Sequence, residues 1–167
     1  MPLLVRRINR AKWEPINIED KEDVSADAIT NCLKTSNNDL SVWEIENESE
    51  IENAILALVT GKSQEKLSTL HYVILNKEDI LKNGLELNST SGDTVVEILK
   101  NTHKDISNLT YKKLGIVKTL ILESINSEHF TTKKQLKVII KKALQEGKVD
   151  IDSLNEKLVE NEKLNIT

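Results

Sequence analysis

The chain has 167 residues, of which 38 % are hydrophobic and only 3 % aromatic, with a formal net charge of −4. That length suits one domain with a core of Leu, Ile and Val, and the shortage of rings argues against recognition of single-stranded nucleic acid by base stacking. A single cysteine, Cys32, excludes an internal disulfide and a cysteine-based zinc cluster within one chain. No apolar run approaches the roughly 20 residues of a membrane span, and the N-terminal MPLLVRRINRAKW lacks the order of a secretory signal, so a cytoplasmic, membrane-free protein is expected.

In chain order, Leu3, Val5 and Ile8 with intervening arginines predict a strand over residues 3–8, placed at a sheet edge because charged residues discourage further pairing. The acidic stretch Glu14–Asp23 reads as a loop. Ser25 or Asp27 then caps a short helix through Leu33, on which Cys32 beside Ile29 and Leu33 reads as a small buried apolar side chain. Thr35–Asp39 is a turn, and Leu40–Ile45 is a strand apolar on both sides. Ser49 and Glu52 match a capping box for a helix ending near Gly61, with Ile51, Ile55, Leu58 and Val59 on its inner face.

His71–Leu75 is the clearest strand, rich in β-branched and aromatic residues, and reads as central. A short helix over Lys77–Asn83 ends at Gly84. From Leu85 to His103 the order is strand, polar loop and capped helix, a unit able to place backbone N–H groups around a ligand. The second half is helical. Leu109–Ile125 carries a stripe of Leu114, Val117, Ile121 and Ile125, and Asn126–His129 is a linker. Thr131 or Thr132 opens a helix with Leu136, Ile139, Ile140, Ala143 and Leu144 inward, stopped by Gly147, and Ser153–Glu160 forms a last short helix.

These elements predict an α/β (α+β) fold: a small mixed sheet of about four strands packed by helices over residues 1–106, with a helical C-terminal subdomain over residues 107–167.

The loop Ser89, Thr90, Ser91, Gly92, Asp93 and Thr94 is the candidate ligand site, since hydroxyls and a glycine at a helix start suit a phosphate or carboxylate. Asp93 opposes that reading. Its carboxylate suits a helix cap, and the spacing matches neither a phosphate loop nor a dinucleotide fingerprint. No catalytic or metal-binding pattern assembles: His71, His103 and His129 lie apart, no carboxylate pair stands out, and no cofactor is implied.

Charge is segregated along the chain. Residues 1–13 carry Arg6, Arg7, Arg10 and Lys12 without an acid, in residues 14–53 acids far outnumber Lys21 and Lys34, and residues 131–148 are again basic. Such blocks either pair with one another or steer a partner of opposite charge. The leading expectation is therefore a non-catalytic accessory, inhibitor or regulator that binds another protein through an acidic surface, with Trp13, Trp43, Glu44, Glu46 and Glu48 at the contact. One alternative is a small-ligand or nucleotide-handling enzyme using the Ser89–Thr94 loop. Another is nucleic-acid binding through Lys133, Lys134, Lys137 and Lys141 on the helix over 132–146, which the acidic net charge disfavours.

Overall fold

The computed structural model describes residues 1–16, 19, 20 and 23–164. The loop expected over Glu14–Asp23 lies partly outside them. Its two ends are joined where the Ile16 N–H donates to the Asp23 carbonyl at 2.6 Å.

Among the described residues six strands form one sheet: β1 (Leu3–Ile8), β2 (Leu40–Ile45), β3 (Leu70–Asn76), β4 (Glu86–Ser89), β5 (His103–Ser107) and β6 (Phe130–Thr131). Their spatial order is β4-β5-β2-β1-β3-β6, and every pairing is antiparallel. The mixed α/β class holds, but the sheet is antiparallel rather than mixed in strand direction, and has six strands rather than about four. The two additional strands carry little signal of their own. β5 reads HKDIS, with one aliphatic residue, and β6 is two residues long.

Alternation along the strands buries both faces of the sheet. Leu4, Ile8, Val42, Val73, Leu75 and Ile106 face one way, and are covered by α2 (Lys77–Lys82), α3 (Tyr111–Ser124) and the single wide turn Ala28–Cys32. Val5, Trp43, Ile45, Leu70 and Tyr72 face the other way, under α1 (Ile51–Val59), α4 (Lys133–Gln145), α5 (Glu156–Glu162) and the 3₁₀ turn Glu97–Thr102. The described C-terminal residues, 107–164, thus pack on both faces of the sheet and add β6 to its edge. Among the described residues no helix is long and apolar enough to cross a membrane.

Local chemistry sets the helix starts. Thr132 accepts from the Gln135 N–H while the Gln135 side chain accepts from the Thr132 N–H, the reciprocal box that opens α4. The box expected at Ser49 and Glu52 does not form. Asn47 accepts from the Ser49 N–H instead, at the head of a 3₁₀ turn that leads into α1.

β1 is not an edge strand: it lies between β2 and β3, with Leu4 and Val5 fully buried. Its two arginines are therefore charges carried by an interior strand.

Candidate functional site

The site starts from β1. Leu4, Val5 and Ile8 commit the strand to the interior, and the period of two sends Arg6 to the α3 side and Arg7 to the α1 side. At this end of the sheet, where β1 stops and β2 and β3 begin, a pocket of about 540 Å³ opens. Arg6, Arg7 and His71 bring basic groups to its wall, and Ser41, Ser68 and Thr69 bring hydroxyls. Among the described residues no Asp or Glu lines it.

The Arg6 guanidinium is held in place by the backbone. Nη1 donates to the Ser41 carbonyl at 2.6 Å and Nη2 to the Cys32 carbonyl at 2.8 Å, which joins β2 to the turn Ala28–Cys32. Nε is enclosed and, among the described residues, has no hydrogen-bond partner. Burial pulls the Arg6 pKa down to about 10, against an opposing attraction from Cys32, so the group remains charged at neutral pH. A charge taken out of water is ordinarily matched by one of opposite sign. Here the neighbours are carbonyl dipoles, and among the described residues no carboxylate pairs with Arg6. Arg7, by contrast, is exposed at the lip.

Asp105 stands behind the wall: it accepts from Ser41 Oγ at 3.1 Å and from Thr90 Oγ1 at 2.7 Å, so both of its oxygens are engaged. Cys32 also lines the pocket. Rather than being an enclosed apolar side chain it is half-buried, and its Sγ accepts the Asn9 N–H at 3.1 Å. The arrangement is electropositive, rich in donors and open to solvent. Its chemistry is suited to holding a carboxylate or phosphate, for which a guanidinium has the matching fork geometry.

Set against family descriptions, curated proteins and solved structures, the chain matches none of them.

The Ser89–Thr94 loop lies elsewhere and is occupied with internal bonds. Ser89 Oγ accepts from Lys104, and Thr90 Oγ1 lies 2.7 Å from His103 Nδ1 while donating to Asp105. Asp93 accepts from the Lys62 N–H at 3.3 Å, and Thr94 is buried against Thr60. Ser91 is exposed and Gly92 buried. The helix expected after the loop is absent. A 3₁₀ turn with Val96 at its head stands there, so Asp93 caps no helix of its own. His103, expected at a helix end, is the first residue of β5, and its ring meets Trp43 edge-on with centroids 5.0 Å apart. Burial lowers the His103 pKa, the nearby Asp105 opposing.

Trp13 and Trp43, expected as exposed anchors, are 2 % and 5 % exposed and belong to the two core layers. Part of the acidic surface is matched within the chain. Asp27 pairs with Lys12, Glu52 with Lys142, and Glu44 with Lys77 and Lys104, leaving Glu46 and Glu48 exposed. Burial pushes the Glu44 carboxyl up, but its two lysines outweigh that and hold it below the usual range.

Of the basic helix residues, Lys133 and Lys137 face the buried carboxylate of Glu162 at 2.8 and 3.0 Å, whereas Lys134 and Lys141 are exposed.

Sequence reasoning missed Arg6 and Arg7 as site residues by reading them as guards of a sheet edge. The available signal was their place inside a short strand of aliphatic residues: if that strand is central, one arginine must be drawn inward.

Proposed function

We propose that the protein is a binding protein for a small anionic ligand, one bearing a phosphate or carboxylate, which it receives in the pocket built on Arg6 and Arg7. The observation that carries this reading is the Arg6 guanidinium, charged and part-buried with its Nε enclosed, which among the described residues has no carboxylate partner and lies at a pocket that none of their acids lines. An anion there supplies the missing counter-charge. Arg7 at the lip and the hydroxyls of Ser41, Ser68 and Thr69 add donors, and the openness of the mouth leaves room for the rest of the ligand. The reading replaces the leading expectation of a protein-interaction role; it takes the small-ligand class from the enzyme alternative, without its catalytic activity, and moves it from the Ser89–Thr94 loop to the end of β1. Partner binding through the acidic surface loses two of its anchors to the core, and Glu44 is engaged by Lys77 and Lys104.

Thermal unfolding of the wild type and of Arg7→Gln, in inorganic phosphate and in citrate against sodium chloride of equal ionic strength, tests the reading. Arg7 is exposed, so its replacement should alter stability by no more than about 0.5 kcal/mol. Phosphate or citrate at a hundred times its dissociation constant should add about 2.7 kcal/mol to the wild type and much less to the variant. Equal behaviour in all three salts would overturn the proposal.

A further inference from the structure

α1 and α4 leave a second groove between them, beside Tyr72 of β3, with a volume of about 540 Å³. Its walls are largely aliphatic, with Ile51 and Ile55 on α1 and Val138 and Ile139 on α4. We infer that this groove is a binding site for a single-chain amphiphile with a carboxylate head, of the fatty-acid class, whose chain lies between the two helices and whose head meets Lys134. The site stands on different residues from the anion pocket on β1 and does not depend on it.

Charge complementarity fixes the kind of ligand. Lys134, in the first turn of α4, is exposed at the groove and among the described residues has no carboxylate partner. Its neighbours are taken: Lys133 and Lys137 face Glu162, and Lys142 pairs with Glu52. Glu52 is the one acid that lines the groove among the described residues, and that pair, at 3.2 Å, already matches its charge. The groove is thus left with one unmatched cation, at the end of α4 where the helix dipole is also positive.

The apolar part follows from the same helix. Val138 lies one turn beyond Lys134 and so on the same face, and it is 60 % exposed, an aliphatic side chain left against water. A carboxylate held at the Lys134 ammonium therefore sets its own chain along Val138 and Ile139, opposite Ile51 and Ile55, and burial of that chain supplies the affinity. A peptide in the same place would bring backbone N–H and C=O groups that aliphatic walls cannot satisfy. A compact anion such as phosphate or citrate has no apolar body for these walls to cover.

Calorimetric titration of the full chain with octanoate, decanoate and decylammonium, each below its micelle concentration, tests the inference. Decanoate should bind one to one, more tightly than decylammonium, and tighter than octanoate by about fourfold for each added methylene that is buried. Lys134→Gln should weaken decanoate by about threefold at low salt and leave the binding of uncharged decanol as it was. Val138→Glu, a like charge at an exposed position of the wall, should weaken decanoate by about tenfold or more, whereas Val138→Leu keeps it. No saturable binding, equal affinity for decanoate and decylammonium, or unchanged affinity in Val138→Glu each overturns the inference. Citrate in excess should displace no more decanoate than sodium chloride of equal ionic strength does; specific displacement would put the acid in the pocket on β1 and overturn it as well. A wild-type dimer in sedimentation that Val138→Glu disperses would make a second copy of the chain the occupant, with the same consequence.

Discussion

The carboxylate of Glu162, at the end of α5 and with no exposed side-chain surface, accepts the backbone N–H of Leu67 at 2.9 Å. The segment before β3 is thereby fastened to the C-terminal helix. Lys133 and Lys137 of α4 reach the same carboxylate at 2.8 and 3.0 Å, so one side chain ties three parts of the layer together. Burial drives the Glu162 pKa upward, but these three donors outweigh it and hold the group at about 2, against an ordinary 4.5. Because the folded value lies below the unfolded one, the contribution to stability is fully present above the unfolded pKa. It is lost as pH falls through the interval towards about 2. Glu162→Gln should therefore unfold at lower urea near pH 7, by about 1–3 kcal/mol. The variant should also lose part of the wild type's decline between pH 5 and pH 2. Parallel pH profiles for the two proteins would count against this account.

Gly92 is needed because of a close approach. A Cβ built on it would lie 2.3 Å from Trp43 Cη2 and 2.8 Å from His103 Cβ, while its N–H donates to the Lys100 carbonyl at 3.0 Å. Neither neighbour can easily retreat: the Trp43 indole is in the core, and the His103 Cβ is fixed to β5. Gly92→Ala should cost about 1–3 kcal/mol, read from denaturant midpoints, with the near-ultraviolet signal of Trp43 altered. Gly115 on α3, where a Cβ meets nothing within 4 Å, is the control: Gly115→Ala should leave stability equal or raise it.

How far the fold was legible in sequence follows from where each element takes its stability. α4 announces itself, since Leu136, Ile140, Ala143 and Leu144 recur at helical spacing and are the residues buried. β3 is equally plain, because LHYVILN is apolar on both faces and both faces are covered. β5 and β6 were not legible: HKDIS and FT become strands through hydrogen bonds to partners far away in sequence, as in Ser41 opposite Asp105 and Leu70 opposite Thr131. The pocket was hidden for a related reason. Arg6 acquires meaning only once β1 is known to lie between β2 and β3, and Cys32 only once its turn is placed against β1. Capping residues were legible in type but not always in position: Thr132 is where the spacing puts it, whereas Asn47 rather than Ser49 heads the turn before α1.

The Asp93 side chain, which in sequence has the look of a helix cap, is less important to the fold than its neighbour Thr94. Asp93 is exposed and accepts a single bond, from the Lys62 N–H at 3.3 Å. Thr94 is fully buried: its hydroxyl lies 2.7 Å from that of Thr60 and accepts the Val96 N–H at 3.2 Å. Since Thr60 Oγ1 already donates to the Leu56 carbonyl at 2.7 Å, Thr94 must be the donor in the threonine pair. Valine keeps the shape but removes that donor and the acceptor for Val96, leaving the buried Val96 N–H unmatched and the Thr60 hydroxyl with its bond to Leu56 alone. Thr94→Val should accordingly cost about 1–3 kcal/mol. Asp93→Ala should cost about 0.5 kcal/mol or less, below the roughly 0.5–2 kcal/mol typical of a lost helix cap. Urea midpoints of the two variants measured side by side decide the matter, and a larger loss for Asp93→Ala would reverse the assignment.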